Sequence, residues 1–428
     1  MKSGLEYYDT IFAMNIQRAI GTVRRYGVRG VIDFIRSLPH RHATFRTLKN
    51  ALIADSAWKP EPGITVIGLL SHASSLSKTL RDFVTRLKEC GIPCQAYDTG
   101  TDETMPASEY AHLITPKDEF KLNRYTDIVG MFTLPMLPPT GCRLSRIVFW
   151  EFESGLCESR PELLEPIEAV SMSAFITDSL RQQIPASTPT SEILYPFTFN
   201  PIKTIARDTI RAKYKITADD FVVFFNFSYG SSYYRKNPEG VVRAFAEAFK
   251  DRADAKLVFK TMGAKNYAVS AAKLHALVDS LGLADCVIFI DHFITQDEII
   301  ALTDACDAYI SLHRGEGFGL GIAEAMSLAK PVVVTNYSAP TEFCNADNAM
   351  LVPYVLRPVR ADEHDVDFYN FVKEWAEPDT HAAAKALRRL YDDRAFAKQL
   401  GENARRFIAD HFSDANFKKS IEAFLNRG

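Results

Sequence analysis

Ser311-Leu312-His313-Arg314-Gly315-Glu316-Gly317-Phe318-Gly319-Leu320-Gly321-Ile322-Ala323-Glu324-Ala325-Met326 runs from an apolar stretch through a glycine-rich turn into a helical pattern. The spacing predicts a strand ending near Leu312. A helix then opens near Gly319, with Ile322, Ala325, Met326 and Ala329 on its buried side. Backbone N–H groups at a helix start lack intrahelical partners and carry about half a positive charge, so they suit a diphosphate. Glycines let the backbone approach such a ligand with no Cβ in the way. Glu316 and Glu324 would repel phosphate but accept hydrogen bonds, which assigns them to sugar or ribose hydroxyls. Amide donors for phosphate beside two acids for hydroxyls describe a site for a nucleotide-sugar. The plain alternative is a tight turn into a helix with two solvated glutamates.

Outward from this segment, strands alternate with helices on both sides. Upstream, Ile64–Leu70, Ile92–Tyr97, Ile128–Phe132, Arg146–Trp150 and Ala174–Thr177 read as strands, with a helix through Leu80, Phe83, Val84 and Leu87 that stops at Gly91. Tyr195–Ile202 breaks the pattern as a Pro-containing linker. A second series follows: strand Phe221–Phe227, helix Val241–Phe249, strand Lys256–Lys260 and helix Ala271–Leu281. Strands Val287–Ile290, Ala308–Leu312, Pro331–Thr335 and Met350–Val352 complete it. The last helices are expected over Ala382–Leu400 and Glu402–His411. This is an α/β chain of two doubly wound domains, which place a ligand in the cleft between them. The expected organisation is a helical, basic N-terminal extension over residues 1–55, an acceptor domain over 56–200 and a nucleotide-sugar-binding domain over 201–412. A closing segment over 413–428 is short enough to cross back to the first domain.

Composition narrows the class. The 428 residues are 47% hydrophobic and 24% charged with a net charge of −3, the balance of a globular protein without an electrostatic case for nucleic acid. Seven scattered cysteines form no zinc set and read as reduced thiols of a cytoplasmic protein. The start carries no charged stretch followed by an apolar run, so no secretory signal is expected, and no stretch approaches the ~18 apolar residues of a membrane span. Within residues 1–50, nine Lys/Arg stand against three acids without a dense basic cluster, a pattern read first as a helical hairpin packed on the main body with its charges in water, and second as contact with anionic lipid headgroups.

The two acids seven residues apart within Glu-Gly-Phe-Gly-Leu…Glu-Ala-Met resemble the signature of the retaining family 4 glycosyltransferases, whose GT-B architecture is two Rossmann-like domains. Tyr234-Arg235-Lys236-Asn237-Pro238, with Ala244-Phe245 and Ala248-Phe249 after it, resembles that group's phosphate-binding unit. Trp375-Ala376-Glu377-Pro378-Asp379 resembles a C-terminal element of its bacterial polysaccharide-building branch. The likeness is strongest over residues 195–412, weaker over 60–195 and absent over 1–55.

The resemblance implies that Glu316 contacts the transferred sugar and Glu324 the ribose. It further implies that Gly317 and the amides of Phe318, Gly319 and Leu320 line the sugar diphosphate, and that Lys236 is its cation. The family's companion arginine is replaced by Gly230, leaving Arg235 or Lys260 to supply that charge. In the first domain, Ser74-Ser75-Leu76-Ser77 stands where the family has glycines, and Glu151, in Phe149-Trp150-Glu151-Phe152-Glu153, falls where it often has a histidine near the reacting sugar. His72 and His313 follow strand-like runs and fit either a site or a packing role. Trp150 and Trp375 read as packing residues. The implied reaction moves a hexose from a nucleoside diphosphate to a hydroxyl of a glycan or lipid-linked acceptor, with retention. It needs no cofactor and no metal, since cationic side chains and amides neutralise the diphosphate. Three rivals are a sugar-nucleotide epimerase, a non-catalytic nucleotide-sugar binder, and a dehydrogenase. The last lacks a Gly-x-Gly-x-x-Gly after the first strand, where residues 71–79 read Ser-His-Ala-Ser-Ser-Leu-Ser-Lys-Thr.

Overall fold

The computed structural model describes residues 59–72, 74–100, 106–131, 141–160, 163, 167–198, 205–366 and 369–427. The basic N-terminal extension expected over residues 1–55 lies outside them.

Strands β1 (Glu61–Gly68), β2 (Cys94–Asp98), β3 (Tyr125–Met131), β4 (Arg143–Ile147), β5 (Glu168–Ser171) and β6 (Thr190–Glu192) belong to one sheet, ordered β2-β1-β3-β4-β5-β6. The pairings of β1 with β2 and β3, and of β5 with β6, are parallel. The second sheet is ordered β12-β11-β10-β7-β8-β9. Its strands are β7 (Phe221–Ser228), β8 (Ala255–Met262), β9 (Val287–Ile290), β10 (Ala308–Ser311), β11 (Val332–Thr335) and β12 (Met350–Val352), every pairing parallel. Runs such as Val332–Thr335, buried at every residue, suit strands covered on both faces. An antiparallel hairpin of β13 (Tyr354–Pro358) and β14 (Glu374–Pro378) follows.

The chain packs into two compact units, one ending at Arg146 and one beginning at Ile147. In the first, the Ser75–Glu89 helix follows β1. Ser74 caps it by accepting a hydrogen bond from the Ser77 N–H at 3.2 Å, and the two serine hydroxyls are 3.0 Å apart. In the second unit, residues after β4 share one apolar cluster with the hairpin. Val148, Trp150, Phe152, Leu156, Ile176 and Leu180 are fully buried against Val372 and Trp375, so both tryptophans serve packing. The C-terminal Asp414–Leu425 helix is held within the same unit by a Ser420 hydroxyl that accepts from the Leu194 N–H and by Arg427 donating to Glu168.

Two local readings are corrected. Ala174–Thr177 is no strand but the start of the Ala174–Gln183 helix, and β5 precedes it. Ser173 in extended conformation accepts from the Ile176 N–H at 3.2 Å, an N-cap that outweighs the β-tendency of Phe175, Ile176 and Thr177. The final helices divide at Asp393, which caps Arg394–His411, and not near Gly401. Gly401 lies inside that helix because a Cβ there would stand 2.0 Å from the Ala329 carbonyl oxygen. The glycine marks close packing rather than a helix stop.

Candidate functional site

In a doubly wound sheet, ligands bind beyond the carboxyl ends of the strands where the strand order reverses. In the second sheet that point lies between β7 and β10, adjacent yet far apart in sequence. The two segments leaving these strands, residues 229–237 and 312–319, carry the residues singled out by the sequence.

They are tied to each other by direct bonds. Arg314 N–H donates to the Arg235 carbonyl at 2.8 Å. Arg235 Nη1 donates to the Gly315 carbonyl at 2.8 Å, and Asn237 Nδ2 to the Leu312 carbonyl at 2.9 Å. Asn237 adopts a left-handed conformation between a short helix, Tyr233–Lys236, and the Pro238–Phe249 helix. Its Oδ1 accepts from the Gly240 N–H at 3.1 Å, capping the second helix. Lys236 is thereby fixed at the mouth of that helix, mostly buried rather than on the surface.

Four charged groups converge here. The Lys236 ammonium donates to Glu316 Oε1, and Arg235 Nη1 lies 3.4 Å from Glu316 Oε2. Arg235 Nη2 lies 3.9 Å from Glu151 Oε1. Arg235 and Glu316 are buried, and Lys236 and Glu151 retain only small exposure. Two cations and two carboxylates thus balance. Burial acts to raise the Glu316 carboxyl, but Lys236 and Arg235 outweigh it and hold the group at about 2. Burial and neighbouring Arg235 pull the Lys236 ammonium below its usual value against the opposing pull of Glu316.

Glu151 arrives from the segment after β4, and glycines make the approach possible. A Cβ on Gly315 would stand 2.5 Å from the Glu151 carbonyl oxygen and 2.8 Å from the Phe152 ring. Gly319 adopts φ +94 as N-cap of the Leu320–Ser327 helix, a conformation that favours glycine. Among the described residues, none accepts a hydrogen bond from the N–H groups of Phe318, Gly319 or Leu320. These amides retain the donors an anion requires. Phe318 combines such an amide with a packed ring, stacked on Tyr195 with centroids 3.5 Å apart and 5.6 Å from Phe412. Gly317 packs beneath the Trp150 carbonyl.

Glu324 is buried in the second turn of the Leu320–Ser327 helix. Tyr309 of β10 senses both acids: burial, then Glu316 and Glu324, raises its phenol well above the usual value, and its hydroxyl donates to Asn226 Oδ1 at 2.6 Å. His313 is fully buried, its Nδ1 3.1 Å from the Ser311 hydroxyl and its Nε2 3.1 Å from the Tyr337 carbonyl. A carbonyl only accepts, so Nε2 carries the proton and Nδ1 accepts from Ser311. Burial lowers the imidazole to about 4. His313 is a neutral internal support. His72 is half-buried, and its carbonyl accepts from Arg81 at 3.0 Å. Lys260 stands apart from the charged group on β8, opposite Asn226 of β7, with its ammonium donating to the Thr261 carbonyl at 2.6 Å. Arg235 is the second cation the structure brings to Glu316.

Sequence reasoning missed the clamp behind the glycine turn. Arg314 makes two bonds to Glu377, of 2.9 and 2.8 Å, and donates to the Tyr234 carbonyl at 2.6 Å. Arg357 bridges Glu377 at 2.6 Å and Glu363 at 2.7 Å. The β13–β14 hairpin is thereby pinned to the base of the turn. Trp375-Ala376-Glu377 carried the only signal of this in the sequence. Tyr309, Ser338, which accepts from the Glu316 N–H at 2.9 Å, and Tyr369 carried none. Among the described residues, no cluster of three or more His, Cys, Asp or Glu could hold a metal ion, and no helix is long and apolar enough to cross a membrane.

Residues 206–354, which cover β7 through β12, match the family model described as glycosyl transferases group 1. In sequence the chain is similar to the serotype-specific mannosyltransferase WbdA of Escherichia coli, 26% identical over 129 residues. That match covers 29% of this chain and only 15% of the relative's length. In structure it is similar to HepE from Anabaena, solved with UDP and glucose, at a TM-score of 0.59 and 16% identity over 85% of this chain and 99% of that one. A glycosyltransferase from Rickettsia africae ESF-5 gives a TM-score of 0.62 at 14% identity, over 85% of this chain and 98% of that one. Sucrose-phosphate synthase from Thermosynechococcus elongatus gives 0.59 at 16% identity, with the same coverages of 85% and 98%. These likenesses establish the fold as the α/β GT-B type with two Rossmann-like domains.

Proposed function

We propose that this protein transfers a hexose from a nucleoside diphosphate sugar to a hydroxyl of a glycan or lipid-linked oligosaccharide, with retention of configuration. The observation that carries the reading is the convergence, at the β7/β10 reversal, of three amides without acceptors among the described residues, two cations and buried Glu316. The mannosyltransferase name of the sequence relative and the UDP and glucose bound to HepE support it.

In this reading the diphosphate lies on the Phe318, Gly319 and Leu320 amides, with Lys236 and Arg235 beside it. The sugar C1–O bond to phosphate breaks and negative charge grows on the leaving diphosphate, where fixed cations and amides lower the barrier. The acceptor oxygen bonds to C1 on the same face, and its proton passes to a donor phosphate oxygen. Glu316 orients the sugar hydroxyls and Glu324 the ribose. The positive side chains do the neutralising that a divalent ion would otherwise do. The work is placed in the cytoplasm, and contact of the basic residues 1–50 with the inner membrane face is the alternative to a solvated hairpin.

A thermal-shift screen over nucleoside diphosphates and their sugar conjugates tests this. A true donor at 100 times its Kd stabilises by about 2.7 kcal/mol. No response to any of them, or an equal response in Lys236→Ala, rejects the reading. A second reading, a nucleotide-sugar binder without turnover, is favoured by Gly230 in place of the family's arginine and by serines in the Ser74–Ser77 loop. Binding without product from any acceptor would select it.

A further inference from the structure

Tyr369 lies in the segment joining β13 to β14, where no sequence signal marked it. Its ring stands edge-on to Phe152 with centroids 5.3 Å apart and 5.8 Å from Trp150. The Arg235 guanidinium carbon sits 5.5 Å from the ring centroid. The phenol is hydrogen-bonded to Glu151, while Glu151 Oε2 is buried with no hydrogen-bond partner among the described residues. The charged groups near Glu151 are Arg235 and Lys236, with Glu316 behind them.

The placement of Tyr369 is not a loose one. Its N–H donates to the Val366 carbonyl at 2.9 Å, and its carbonyl accepts from the Val372 N–H at 3.1 Å. Val372 and Trp375 are buried in the cluster that holds Trp150 and Phe152. Arg357 grips Glu363 in the same connection and Glu377 on β14. Burial raises the phenol well above its ordinary pKa, with Arg235 opposing and Glu151 reinforcing, so it remains a proton donor at working pH.

We infer that Tyr369 is a positioning residue of the proposed transfer site: its ring steadies Arg235 for the diphosphate, and its hydroxyl fixes Glu151 so that the unpartnered Oε2 accepts from a substrate hydroxyl. A buried carboxylate oxygen without a partner carries a desolvation cost that a hydroxyl donor removes. The matching ligand is a polyhydroxylated one, carried on the donor or the acceptor. The inference rests on the transfer reading and assigns separate jobs to the two ends of one side chain.

That division is what the experiment reads. Tyr369→Phe and Tyr369→Leu are compared with the full-length wild type for diphosphate release from UDP-glucose, UDP-galactose and GDP-mannose, and for UDP and GDP binding by calorimetry. Tyr369→Phe keeps the ring, so kcat falls about tenfold, as for one hydrogen bond to a charged group, while KM and the UDP or GDP Kd stay within about twofold. Tyr369→Leu also loses the ring, and the Kd weakens by about fivefold more. Should Leu at this position fail to fold, the Phe variant alone decides. Wild-type kcat in Tyr369→Phe overturns the role of Tyr369 and leaves the transfer reading standing, as does a parallel loss of kcat, Kd and melting temperature. A wild type that binds and releases no nucleoside diphosphate overturns both.

Discussion

Replacing Glu316 with Gln should tighten the binding of UDP or GDP, although Glu316 lies at the centre of the proposed site. Glu316 is 8% exposed, and its carboxylate contacts Lys236, with Arg235 Nη1 at 3.4 Å. Holding the group at about 2 instead of 4.5, against burial that pushes it upward, takes an attraction to its cations of at least about 3 kcal/mol. A diphosphate that takes Lys236 must give up part of that attraction. If the two cations share it equally, giving up one of them on binding costs roughly tenfold or more in Kd. Glutamine keeps the shape and an acceptor oxygen but offers no charge to compete. Titration calorimetry at pH 7.5 and low salt should therefore show UDP or GDP binding roughly tenfold tighter in Glu316→Gln. Turnover of the sugar conjugate falls by about a hundredfold, because the sugar loses its alignment. The carboxylate's contribution to folding is complete above about 4.5 and disappears only as pH falls toward about 2, so the comparison at pH 7.5 is free of it. Equal or weaker binding in the variant would refute competition between Glu316 and the diphosphate for Lys236.

Further outcomes follow from the same geometry. Because His313 is held at about 4 against an ordinary 6.5, its contribution to stability is complete above pH 6.5 and declines as pH falls toward 4, reaching a loss of about 2 kcal/mol at pH 5. Urea unfolding at pH 8 and pH 5 should show this loss in the wild type but not in His313→Gln, and identical pH dependence would refute it. Gly315→Ala drives a methyl against the Glu151 carbonyl and the Phe152 ring, costing about 1–3 kcal/mol in the melting transition. Gly230→Ala, whose methyl approaches Tyr267 Oη no closer than 3.4 Å, leaves that transition unchanged. Glu377→Gln weakens the charge-assisted bonds to Arg314 and Arg357 by about 1.5–3 kcal/mol, so limited proteolysis between β13 and β14 should quicken relative to the wild type.

The second sheet was legible because its strands are short apolar runs separated by turn residues. Val287–Ile290 and Met350–Val352 fall where the pattern puts them. The glycine turn was legible for a chemical reason: glycines beside acids at a helix start have few other uses. Ala174–Thr177 misled because Phe, Ile and Thr favour a strand, and only the capping bond of Ser173 decides otherwise. What no local pattern contains is pairing across long separations. The adjacency of β7 and β10 brings Lys236 to Glu316, 80 residues away. Glu151 emerged only from resemblance, and Tyr369 not at all, since each owes its position to a neighbour from another part of the chain.

Phe318 has one further consequence. The peptide group proposed to face the donor belongs to a residue whose ring is wedged between Tyr195 and Phe412, one in the Pro-containing linker and the other just past the Arg394–His411 helix. Any tug on either of those distant stretches is delivered to the ligand cradle through a single aromatic plug. Trimming Phe412 to alanine, a change remote in sequence from every proposed ligand contact, should register as altered nucleotide affinity.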